Sequence, residues 1–147
     1  MMLNRLLAIA FLFNTAISQG QITETNTSSV PTVIGKFTVP HGSQGSLIQK
    51  IKDADTTYIL EFKNYTDKDM HQVVFNEKGG ALNTLYNILA SFFYSGNKKN
   101  KDYKRTFKLG DEDITCTYEK TATSVVFSTN KGYFLINEKQ LNRLFGK

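Results

Sequence analysis

Between Gly79-Gly80 and Gly96 the residues Leu82, Leu85, Tyr86, Leu89, Phe92 and Phe93 recur at the spacing of a single helical face. The spacing predicts an amphipathic helix over residues 80–94, with glycine bounding it at both ends. Burying six large side chains stabilises by roughly 1.5–3 kcal/mol each, on the order of 10 kcal/mol before chain entropy is subtracted. A stripe this broad must be covered, and most of the remaining sequence reads as strand.

Tyr58, Leu60 and Phe62 alternate with Ile59, Glu61 and Lys63, the period of a half-buried strand. Leu47 to Ile51, followed by the turn residues Asp53-Ala54-Asp55, completes a hairpin with it, and His71 to Glu77 is a third strand. Beyond the helix, strands are expected at Tyr103 to Leu109, Ile114 to Tyr118, Val125 to Phe127 and Tyr133 to Ile136. Gly110-Asp111-Glu112-Asp113 and Asn130-Lys131-Gly132 supply the turn chemistry, the latter with Gly132 in a left-handed position. A short helix, Glu138 to Phe145, capped by Asn137, turns Leu141, Leu144 and Phe145 to one side. The expected fold is α+β: a single antiparallel sheet of about six to seven strands, the long amphipathic helix across a face, and the short C-terminal helix at an edge or end. The alternative is a partly closed barrel around the long helix.

At the other end, Arg5, the apolar run Leu6 to Phe13 and the small residues Ala16 and Ser18 form the pattern of a secretory signal peptide cleaved after Ser18. The run is shorter than the about 20 residues that a membrane-spanning helix needs. The organisation expected is therefore 1–18 signal peptide, 19–40 polar tail or edge strand around Val33 to Val39, and 41–147 a single α+β domain. The product is expected to be exported, periplasmic or extracellular, with the bias of Lys over Arg suggesting a bacterial source. In a eukaryotic host, Asn26-Thr27-Ser28 and Asn64-Tyr65-Thr66 would be surface glycosylation acceptors.

Catalytic chemistry finds little foothold. The two histidines, His41 and His71, have no second His or Cys at ligand spacing, and no G-x-S-x-G nucleophile motif occurs. A small hydrolase would have to pair one of these histidines with a carboxylate in a pocket. The single cysteine, Cys116, alternates with Ile114 and Tyr118 on an inward face and so reads as a small hydrophobe. Three Asp-x-Asp pairs, at 53/55, 67/69 and 111/113, fall in turns and lack the glycine and distal glutamate of a calcium loop. No cofactor motif and no metal site is expected.

Charge is the feature with a place. Lys98, Lys99, Lys101, Lys104, Arg105 and Lys108 fall in eleven residues with Asp102 as the sole acid, and Tyr103 and Phe107 lie among them as candidate stacking groups. Residues 19–147 carry seventeen basic and thirteen acidic side chains, so this segment alone accounts for the positive balance. Lysines there also suit a helix C-terminus and guard an edge strand. The function expected is a small exported non-enzymatic binding or interaction module. It would use the basic segment (Lys98, Lys99, Lys101, Tyr103, Lys104, Arg105, Lys108) or an outer sheet face, with an anionic ligand or another exported protein as partner. A polyanion or nucleic-acid binder is an alternative through the same residues, nucleic acid being disfavoured by export.

Overall fold

The computed structural model describes residues 29–39 and 42–147; the segment expected to be a signal peptide, Asn26 and His41 lie outside them. Eight strands and three helices follow in the order β1 (Thr32–Thr38), β2 (Gln44–Lys52), β3 (Asp55–Lys63), β4 (Met70–Asn76), α1 (Ala81–Ser91), α2 (Ser95–Lys99), β5 (Lys104–Leu109), β6 (Glu112–Glu119), β7 (Ser124–Ser128), β8 (Tyr133–Ile136) and α3 (Glu138–Leu144). The strands form two four-stranded antiparallel sheets, β1-β2-β3-β4 and β5-β6-β7-β8. The class is α+β, but the single sheet, and the barrel, are corrected. Each run of hairpins makes its own meander, and the helical connection between β4 and β5 separates them.

Alternation explains the sheet faces. Leu47, Leu60 and Val73 stand in cross-strand register, as do Tyr58 and Phe75, and all are buried. Ile114, Cys116, Val125, Phe127, Phe134 and Ile136 are the equivalent set on the second sheet. The two inner faces share one core through aromatic rings: Phe62 lies 5.0 Å from Phe134 and 6.4 Å from Phe127, and Phe37 of β1 lies 6.1 Å from Phe134.

α1 is shorter than its stripe. Ser91 Oγ donates to Ile88 O at 2.6 Å, Asn97 Nδ2 takes Ser91 O at 2.7 Å, and the amides of Phe92, Phe93 and Tyr94 each reach back three residues. This tightening ends the α-helix and still turns Phe92 and Phe93 into the core. At its start Gly80 offers no side-chain cap; Glu77 Oε2 instead accepts from Leu82 N at 3.1 Å. α3 is capped reciprocally, Asn137 Oδ1 accepting from Gln140 N and Gln140 Oε1 from Asn137 N, both at 2.9 Å.

Two glycines mark where the parts close on one another. A Cβ on Gly35 of β1 would lie 2.0 Å from the Arg143 carbonyl oxygen, so only glycine lets α3 reach the strand. Gly132 is the other, at φ 158° and not in the left-handed helical region expected of it. Its glycine is required by Asn64, whose Cγ would be 2.5 Å from an added Cβ. Asn64 is accordingly buried, its Oδ1 accepting from Tyr133 N at 3.1 Å, a position unlike the surface site that a glycan acceptor in a eukaryotic host would need.

Candidate functional site

The basic segment spans a helix and a strand, and not a loop alone. α2 carries Lys98 and Lys99, a turn carries Lys101 and Asp102, and β5 carries Lys104, Arg105 and Lys108. Its side chains divide into two sets. Lys98 lies over the Phe93 ring at 5.7 Å, and Lys108 pairs with Asp113 across the strands at 3.0 Å. Lys99, Lys101, Lys104 and Arg105 are exposed and enter no ion pair among the described residues.

Tyr103 and Phe107 belong to the scaffold. Tyr103 OH shares a 2.8 Å hydrogen bond with Ser91 Oγ, its ring meets Phe92 edge-on at 4.8 Å, and the bond from Ser91 holds the phenol below its ordinary pKa. Phe107 is opposite buried Ile114 and packs against the core. Neither ring offers a free stacking platform; what they do is anchor the basic segment to α1.

The charge is confined to this surface. The described residues hold seventeen basic and twelve acidic side chains, of which six and one lie at 98–108; elsewhere eleven of each sign balance. Beside β5 runs a groove of about 270 Å³ between strand and α1, lined by Ala81, Leu85, Ile88, Phe107 and Leu109 with Lys78 and Lys108 at its rim. Sequence reasoning missed this groove, since it exists only once residues of α1 and β5 meet in the fold.

The remaining candidates are dispersed. A polar cleft of about 610 Å³ lies between the β2–β3 turn and the end of β4, with Asp53, Asp55, Glu77, Lys52 and Lys78 among its walls. Tyr58 nearby is held above its usual pKa by burial and by Glu77. His71, second residue of β4, is half-buried against Phe62 at 5.8 Å, and its Nε2 has no hydrogen-bond partner. Asp67 is held below the usual carboxylate range, first by the Asp69 amide, then by Asn64 and His71. Neither His71 nor Asp67 lines the groove or the cleft. Among the described residues no three His, Cys, Asp or Glu side chains converge on a metal position, and no helix is long and apolar enough to cross a membrane. Cys116 is fully buried and its thiol is pushed up to about 12 by that burial. On the outer face of the first sheet Val33, Ile48, Ile59 and Val74 form one cross-strand row, exposed at its two ends.

Comparison with protein-family models, with curated proteins and with solved structures finds no match for this chain.

Proposed function

We propose that the protein is an exported, non-enzymatic binding module whose ligand is anionic and docks on the α2–β5 surface. The observation that carries this reading is the set Lys99, Lys101, Lys104 and Arg105, exposed and free of ion pairs among the described residues, on a molecule otherwise balanced in charge. Unneutralised like charges held together on one helix-turn-strand attract an anion at long range and gain by its arrival. Export is supported by the Arg5, Leu6–Phe13 and Ala16-x-Ser18 leader pattern, and places the ligand in the periplasm or outside the cell.

Retention on a heparin column tests the reading. The triple variant Lys99→Ala, Lys101→Ala, Lys104→Ala should elute at clearly lower salt than the wild type. A charge-matched control, Lys36→Ala, Lys52→Ala, Lys120→Ala, removes three exposed lysines from elsewhere and should shift elution less. Equal shifts for the two variants would mean that net charge alone is read, and the proposal would fail.

A further inference from the structure

Resting on that reading, we infer that the anionic ligand is an extended peptide of alternating acidic and apolar residues, added to the second sheet as a new strand along β5. Among the described residues β5 ends its sheet, pairing only with β6. Among the described residues, no backbone hydrogen bond joins Lys104–Leu109 to any other segment, so alternate amides and carbonyls along the strand face outward without partners. The close approach of Gly110 to the Val74 carbonyl limits the open stretch at its far end. The available edge is thus the strand itself, about five residues of pairing.

The two faces of β5 specify what such a strand must carry. Lys104, Thr106 and Lys108 alternate on the outer face, opposite Thr117, Thr115 and Asp113, and an incoming strand lays its own side chains next to them. Acidic residues fit there, at Lys104 directly and at Lys108 in exchange for Asp113, its 3.0 Å partner on β6. On the inner face Phe107 and Leu109, with Leu85 and Ile88 of α1, line the apolar groove beside the edge, where the alternate residues of the same peptide would be received. A free polyanion would use the lysines and leave the groove and the unpaired backbone unexplained.

The same lysines exclude the most available competitor, a second copy of this chain. Antiparallel pairing of β5 with its twin about Thr106 would place Lys104 against Lys108 twice, and like charges directly opposite destabilise a pair. In that register the edge disfavours its own twin and accepts an acidic strand. That combination distinguishes recognition from simple protection against aggregation.

The test uses the intact chain at low ionic strength and a fluorescein-labelled heptapeptide alternating Glu and Val, followed by anisotropy. Three comparisons accompany it: the same peptide with every central amide N-methylated, the peptide with Lys in place of Glu, and the protein variant Lys104→Glu, Lys108→Glu. Binding of the Glu peptide, with loss on N-methylation, is expected. The double variant should bind the Glu peptide about tenfold more weakly, two exposed charge pairs being worth up to about fivefold each, and should gain affinity for the Lys peptide. Both substituted lysines are exposed, and a circular dichroism spectrum matching the wild type establishes that the variant is folded. Equal binding of the N-methylated peptide overturns strand addition, as does an unchanged preference in the double variant. Heparin retention sensitive to Lys99 and Lys101, with no peptide binding, overturns strand addition alone and leaves the anion-binding reading standing. Loss of both signals overturns both.

Discussion

Cys116 shows how far a single position was legible. Alternation with Ile114 and Tyr118 placed it inward, and it is fully buried opposite Phe127 on β7. Burial disfavours the thiolate, so its pKa stands at about 12 against an ordinary 9.0. A raised folded-state value contributes stability that is complete below pH 9 and is lost as pH rises from 9 toward about 12. Two outcomes are expected: the folded protein resists thiol reagents at pH 8 until denaturant opens it, and the unfolding midpoint of the wild type falls more steeply above pH 9 than that of Cys116→Ala. Rapid labelling of the native protein would contradict the buried position. Asn64 shows the opposite limit. Its local sequence has the form of a glycan acceptor, yet what decides its exposure is the backbone of Gly132 and Tyr133, which no local pattern reveals.

The elements themselves were largely readable because each is fixed by its own period: alternation for β3 and β6, a helical stripe for α1, a side-chain cap for α3. The exceptions occur where a contact from outside the pattern takes over. Ser91 and Asn97 stop α1 before the stripe ends, and Lys98 and Lys99 fall in a second short helix, α2, that no period in the sequence announces. The junction of α3 with β1 allows the two kinds of determinant to be compared. Asn137→Ala removes one capping acceptor and should cost about 1 kcal/mol. Gly35→Ala drives a methyl group into the carbonyl oxygens of Arg143 and Leu144, backbone atoms that cannot rotate away, and should exceed it, at about 1–3 kcal/mol or more. Urea unfolding of both variants measures the difference; a Gly35→Ala protein as stable as the wild type would show that α3 does not sit against β1.

At the scale of the whole molecule, the grouping of strands was the part hidden in the sequence. Short turns say which strands are neighbours, but whether two meanders join edge to edge or remain separate sheets depends on contacts across the helical connection. Here the joint is aromatic. Phe62 of the first sheet touches Phe127 and Phe134 of the second and is fully buried, so neither inner face is complete without the other. Two halves that each lack a cover for their own apolar face should unfold as one. Phe62→Ala, which opens a cavity at this joint, should cost about 3–5 kcal/mol, a large share of the about 5–15 kcal/mol typical of a whole domain. Amide hydrogen exchange reads the consequence strand by strand. Protection in β3 and in β6 and β7 should fall by the same amount in the variant, because the slowest amides of both sheets exchange through the same global opening. Protection lost only from the first sheet would mean that the second holds its fold alone, and the shared core would then be a contact between two independent units and not the source of their stability.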